Sequence, residues 1–118
     1  MSDPLDSDTA IRPMLSLMAK SEKALLKLSP GGWQHTMLSQ NLHALRLAIR
    51  LLDSEKLETM VDRDEVLAAQ DAFAKMIGKT ENALSKFTPG TSQDTLLQNR
   101  LKALRCGEDA IRDVLGRD

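Results

Sequence analysis

His35 and His43 are the first residues in this chain of 118 whose type could do chemistry, because imidazole binds metals and transfers protons. They lie eight residues apart. No Cys, Asp or Glu completes a metal-ligand spacing with them, and the chain contains no Glu-x-x-His pair. We therefore interpret both histidines as solvated surface residues and predict no metal site.

Glu22 and Glu81 form a second candidate, because paired carboxylates can divide acid and base work between them. Each has lysines beside it on its own predicted helix, such as Lys23 and Lys79, and surface ion pairing with these explains both acids. The chain also lacks a phosphate-binding glycine loop, a nucleophile elbow and a Cys-x-x-Cys motif. The sequence therefore predicts a protein without enzymatic activity and without a cofactor.

Cys106 is the only cysteine, so no disulfide can form within the chain. We interpret it as a buried, unreactive thiol in a helix. The chain has no charged-then-apolar leader and no apolar run approaching the roughly 18 residues that cross a bilayer. We expect a protein of the reducing cytoplasm with no membrane partner.

An internal repeat predicts which elements position these residues. Residues 20–46 match residues 79–105 at a constant offset of 59 without a gap, and 14 of the 27 positions are identical. Such agreement indicates a duplicated unit, and 59 residues is the length of one αα-hairpin. We call the residue 59 positions away in the other half the matched residue.

Composition and periodicity predict an all-α fold, an antiparallel four-helix bundle made of two tandem αα-hairpins. Leu and Ala dominate, aromatic residues make up 3% of the chain, and β-branched residues are few. Ser29-Pro30-Gly31 and Thr88-Pro89-Gly90 each end a helix and start a turn. The predicted units are a flexible tail at 1–8 and one bundle at 9–118, with hairpin one at 9–56 and hairpin two at 62–116. The alternative is an open pair of hairpins completed by a second chain, so we expect a monomer or a homodimer.

Apolar residues at three- and four-residue spacing define the predicted core. Small hydroxyl residues, Ser21 and Thr80, are expected at close helix contacts, bonded back to their own helix. Gly107 and Glu108 replace Ala48 and Ile49 and predict a locally loose fourth helix. The stripes are Ile11, Met14, Leu15, Leu17, Met18, Leu25 and Leu28; Leu38, Leu42, Leu45, Ile49 and Leu52; Val66, Phe73, Ile77, Leu84 and Phe87; and Leu97, Leu101, Leu104 and Ile111.

The predicted third and fourth helices each begin at a residue that can cap a helix. Asp62 followed by Glu65 resembles a capping box at the start of the third helix. Thr91 or Ser92 is expected to cap the fourth helix, with Asp94 in its first turn. The connector 53–61, which contains Leu57 and Met60, is interpreted as a frayed helix end followed by a short crossing.

Differences between the halves are the better indication of function, because the shared fold accepts either residue. Trp33, the only tryptophan, matches Ser92 and lies in the turn of hairpin one. Two interpretations stay open: the indole folds back over the end of the core, or it is an exposed anchor for a partner.

Two basic stripes lie in the first half, which carries a net charge of +5 over residues 9–52, whereas residues 53–71 carry −5. A solvated charged face is one interpretation, and a docking surface for an acidic protein or for RNA phosphates is the other. The stripes are Lys20, Lys23 and Lys27 on the first helix and His43, Arg46 and Arg50 on the second.

The functional hypothesis is a small non-enzymatic interaction module, such as an adaptor, inhibitor, immunity-type or chaperone-like protein, which binds another protein through the basic first hairpin. An acidic partner fits this surface best. The alternative is a helical bundle that binds RNA or another nucleic acid, against which stand the total charge of −1 and the lack of a recognition motif.

Overall fold

Four α-helices make up the fold in a computed structural model that describes residues 7–53 and 62–116. They are α1 (Ser7–Leu26), α2 (Trp33–Asp53), α3 (Arg63–Leu84) and α4 (Ser92–Leu115). Each helix contacts its chain neighbours, and α1 and α2 both also contact α4. The predicted all-α, antiparallel four-helix bundle is confirmed. A common origin of the two halves stays a hypothesis drawn from the sequence.

The predicted boundaries differ from the observed ones at the start of the chain. Helix α1 begins at Ser7, so residues 7 and 8 of the predicted tail are helical. The rest of the predicted tail lies outside the described residues. So do residues 54–61, with the connector residues Leu57 and Met60.

Both hairpin turns have the same backbone geometry, which explains the repeated Pro-Gly. Gly31 has φ 92° and Gly90 has φ 90°, a left-handed conformation that residues with a Cβ rarely adopt. The Gly32 N–H donates to the Ser29 carbonyl over 3.3 Å, and the matched Thr91 N–H donates to the Thr88 carbonyl over 3.3 Å. The matched turn residues therefore serve the turn itself.

Core residues concentrate away from the two turns. The largest fully buried side chains are Phe73, Met14, Leu45, Leu104, Ile111 and Val66. No residue from 22 to 41 is buried, and Asp94 is the only buried residue from 81 to 102. The turn end of each hairpin is therefore a pair of helices whose apolar residues are only partly covered.

The predicted stripes contain the six largest fully buried side chains but miss half of the buried apolar residues. Leu15 is 49% exposed and Phe87 is 41% exposed, so both predictions of burial are wrong. Leu15 follows the buried Met14 and lies about 100° further around α1, which carries it out of the interface. Helix α2 contacts all three other helices and therefore buries a wider arc than one stripe. The buried residues that the stripes missed are Ala44, Leu47, Ala48, Ala69, Ala72, Met76 and Ala103.

Gly107 lies at a tightly packed point of the bundle, so the prediction of a loose segment is wrong. A Cβ on this residue would lie 2.8 Å from Phe73 Cε1 and 3.3 Å from Ala48 Cβ. Phe73 and Gly107 match Met14 and Ala48 of hairpin one. Hairpin two thus combines a larger ring on one helix with a smaller residue on the other, and the interior stays filled.

Local hydrogen bonds confirm most of the predicted caps. The Asp62 side chain accepts from the Asp64 N–H over 3.2 Å at the start of α3. Glu65 Oε1 lies 3.5 Å from His43 Nε2 on α2, and its part in a capping box stays a prediction. Thr91 caps α4 by accepting from the Asp94 N–H over 3.2 Å.

The expected burial holds for both hydroxyls, and the expected hydrogen bond back to the helix is confirmed for Thr80. Ser21 is 5% exposed and Thr80 is 7% exposed. The Thr80 hydroxyl donates to the Met76 carbonyl of its own helix over 2.8 Å.

Candidate functional site

Trp33 is the first residue of α2, and 73% of its surface is exposed. The interpretation that the indole folds back over the core is therefore wrong. An exposed indole of this size is costly to leave in water and is the residue type most enriched among those that dominate binding energy.

Leu26, which the sequence analysis missed, lies at the other side of the same turn. It is the last residue of α1 and is 87% exposed. Its matched residue is Ser85, and that of Trp33 is Ser92. Both strongly exposed apolar residues at the turn of hairpin one are therefore serines in hairpin two. A comparison of all matched pairs whose two residues differ would have found Leu26 in the same way as Trp33.

A shallow depression at this turn brings Trp33 together with one of the predicted lysines. Because Gly31 reverses the chain within a few residues, the end of α1 and the start of α2 both border it. We call Leu26, Lys27, Leu28 and Trp33 the tip surface. The depression is lined by Lys27, Leu28, Ser29, Gly32, Trp33, Gln34 and His35.

Hairpin two uses the corresponding place differently. Asp94, which matches His35, is 7% exposed and accepts from the Gly90 N–H over 3.1 Å. Its carboxylate also accepts from the Gln98 amide over 3.1 Å. The turn of hairpin two is therefore bonded to its own helix, whereas that of hairpin one presents an indole and a lysine.

The lysine row, defined as Lys20 and Lys23 of α1 and Lys27 directly after its last residue, is exposed along its length. None of the three forms an ion pair with a carboxylate in residues 7–53 or 62–116. Spacings of three and four residues keep them on one side of the helix over about 10 Å, and Lys27 reaches the depression.

Two residues of the predicted basic stripe on α2, His43 and Arg46, lie within ion-pair distance of acidic residues on neighbouring helices. Arg46 donates to Glu22 over 3.4 Å, and the matched Arg105 donates to Glu81 over 2.7 Å. The predicted lysine partners of the two glutamates are therefore wrong. Both acids bind an arginine on the neighbouring helix, which explains why all four residues are shared by the halves.

The remaining residues of that stripe lie away from the turn. His43 is 3.5 Å from Glu65 and links α2 to α3. Arg50 is exposed, in the last turn of α2 and about 25 Å along the helix from Trp33. Within the described parts of the chain Arg50 has no ion pair, but it is too far away to act with Trp33.

The two basic stripes do not form one patch. Glu22 faces α2, where it meets Arg46. The lysine row lies about 100° to 160° around α1 from Glu22. Of the predicted site residues, the structure therefore groups Trp33 with the lysine row and separates them from His43, Arg46 and Arg50.

Comparison with known proteins yields no relative. The chain matches no protein-family model, no curated protein and no solved structure. Function has to be inferred from the surface itself.

Groups suited to catalysis are sparse across 7–53 and 62–116. No cluster of three or more His, Cys, Asp or Glu in these ranges is arranged to hold a metal. Cys106 packs against the core, but it is half-buried and not buried as predicted. None of the helices in the described part of the chain is long and apolar enough to cross a membrane.

Proposed function

We propose that this chain is a small non-enzymatic interaction module that binds another protein through the turn end of hairpin one. The observation that carries the proposal is the exposure of Trp33 and Leu26 where hairpin two has serines. Tryptophan is the residue type most enriched among those that dominate binding energy at interfaces. The shared fold does not require them, because the same turn forms without them.

The energetics fit a small interface anchored by one aromatic residue. Covering most of an indole that is 73% exposed contributes roughly 2–4 kcal/mol at about 25 cal/mol per Å². That is the range of an interface hot spot. The lysine row would raise the association rate with an acidic partner and orient it.

A protein that binds a partner without catalysing a reaction could act as an adaptor, inhibitor, immunity-type or chaperone-like protein. A monomer is the favoured form, since the four helices share one core within a single chain. A reducing compartment such as the cytoplasm suits a lone, half-buried thiol.

Nucleic acid is the second candidate, and the unpaired lysine row is the observation in its favour. Binding to phosphates would have to weaken steeply between low and physiological salt. A titration of single-stranded RNA at two salt concentrations tests this, and absent or salt-insensitive binding removes the candidate.

Comparative capture tests the proposed function. The native chain is immobilised beside a Leu26→Ser/Trp33→Ser variant and a Phe87→Ser/Leu96→Ser control, which removes exposed apolar residues from hairpin two. We expect the native chain and the control to enrich the same protein from host extract and the tip variant to lose it. The serine substitutions copy residues that hairpin two already carries, so helicity and melting should not change. Identical capture by all three chains would contradict the proposal.

A further inference from the structure

The tip surface and the lysine row are continuous at Lys27, and their combined chemistry indicates what they recognise. Building on the proposed function, we infer that they bind an acidic-apolar peptide segment of the partner, in which carboxylates adjoin one large apolar side chain. The apolar side chain would contact Trp33 and Leu28 in the depression, and the carboxylates would follow the lysines along α1.

The charges around the depression favour a negative ligand. Lys27 lines it, and none of the lining residues within 7–53 and 62–116 is an Asp or a Glu. The nearest acid along α1, Glu22, is held by Arg46 and faces another side of the helix. The positive potential of the lysine row is therefore not cancelled locally, and it would attract carboxylates to the side of Trp33.

The spacing of the lysines sets the length of the segment. Lys20 and Lys27 are about 10 Å apart along the helix axis, a distance of about three steps that about four residues of an extended peptide span. Adding the residue in the depression gives a contact segment of about five residues.

The shape of the surface favours a peptide over a lipid bilayer. Ser29, Gln34 and His35 line the depression beside the indole and offer hydrogen bonds to a peptide backbone. A bilayer surface needs no such concavity. Vesicle binding is therefore an outcome to be tested against the inference.

Hairpin two provides an internal control, because it cannot make the same interaction. Its row is Lys79, Asn82 and Lys86, so the central lysine is missing. The Lys79 ammonium donates to Met37 Sδ on α2 over 3.1 Å. Ser85 and Ser92 replace the two apolar anchors.

Selection from a display library tests the inference without knowledge of the partner. Random peptides of about ten residues, about twice the contact segment, are selected on the native chain and counter-selected on the Leu26→Ser/Trp33→Ser variant. We expect enrichment of peptides with Asp or Glu next to Leu, Ile, Phe or Met. Enrichment without acidic residues, or no enrichment over the counter-selection, would overturn the inference.

The selected peptides are then titrated by fluorescence, since Trp33 is the only tryptophan and the chain has no tyrosine. A Lys23→Asn/Lys27→Asn variant should bind about tenfold more weakly, whereas Lys79→Asn/Lys86→Asn should bind as the native chain does. Equal affinity of both variants would overturn the role of the lysine row. So would an emission change produced by phosphatidylserine vesicles or by RNA and not by the peptides.

The two tests fail separately. Loss of capture by the tip variant together with selection of peptides that lack acids leaves the proposed function standing and removes only the acidic-apolar segment.

Discussion

Phe73 and Gly107 meet so closely that a Cβ on Gly107 would lie 2.8 Å from the ring carbon Cε1. Their matched residues, Met14 and Ala48, are both buried in the same core. The volume of the aromatic ring on α3 is thus compensated by the missing methyl on α4. The two substitutions in hairpin two therefore compensate each other in volume.

Gly107→Ala should destabilise the protein despite the better helix propensity of alanine. The propensity gain is about 1 kcal/mol, but moving a fully buried ring costs roughly 1–3 kcal/mol. Gly78→Ala is the control, because its Cβ would meet nothing within 4 Å, and it should raise stability. Urea unfolding measures both changes. A smaller cost of Gly107→Ala in a Phe73→Met background is expected, and an equal cost would contradict the packing account.

Gly31→Ala should lower stability by about 1 kcal/mol, and Gly90→Ala by a similar amount, because both positions have positive φ. Gly32→Ala is the matched control in the same turn, since its φ is not positive. Thermal melting compares the three. A loss for Gly32→Ala as large as that for Gly31→Ala would show that flexibility, and not left-handed geometry, is what the turn needs.

The Glu22–Arg46 pair should contribute little to stability. Both side chains are 53% exposed, so water and salt screen the attraction. A double-mutant cycle with alanine should give a coupling of about 0.2–1 kcal/mol that falls in high salt, and the Glu81–Arg105 cycle should agree with it. Arg46→Ala should also leave partner capture unchanged. Loss of partner capture by the Arg46→Ala variant would show that Arg46 belongs to the binding site and would contradict its separation from Trp33.

Fluorescence quenching should report the charge around Trp33. The indole is 73% exposed, so small quenchers should reach it in the folded protein. The lysine row should make iodide a stronger quencher than caesium. Lys23→Asn/Lys27→Asn should reduce the difference, with Lys79→Asn/Lys86→Asn as the control. Equal quenching by the two ions in the native chain would contradict the electrostatic description of the tip.

Much of the fold could be predicted from local patterns, because the turns and caps depend on nearby residues. The Pro-Gly turns and the Asp62 and Thr91 caps are of this kind. The burial of Ala48 and Ala69 could not be predicted, since alanine suits both surface and core and its burial depends on which helices cross there. The close contact at Gly107 depends in the same way on a ring from another helix.

The candidate site was predictable only in part. Trp33 could be found because it is the only tryptophan and its matched residue is a serine. Leu26 was missed because the chain contains many leucines. From the sequence, all the basic residues of hairpin one were assigned to one surface. Spacing along a helix does not reveal which side of that helix a neighbouring helix covers. The Glu22–Arg46 contact settles that point by fixing which side of α1 faces α2.

Site-specific photocrosslinking tests the central claim most directly. A photoreactive phenylalanine analogue is placed at position 33 in one chain and at the matched position 92 in another, and both are irradiated in host cells. Adducts to one defined protein at position 33, absent at position 92, are the predicted result. No adduct at either position, or the same adducts at both, would contradict binding through the turn end of hairpin one.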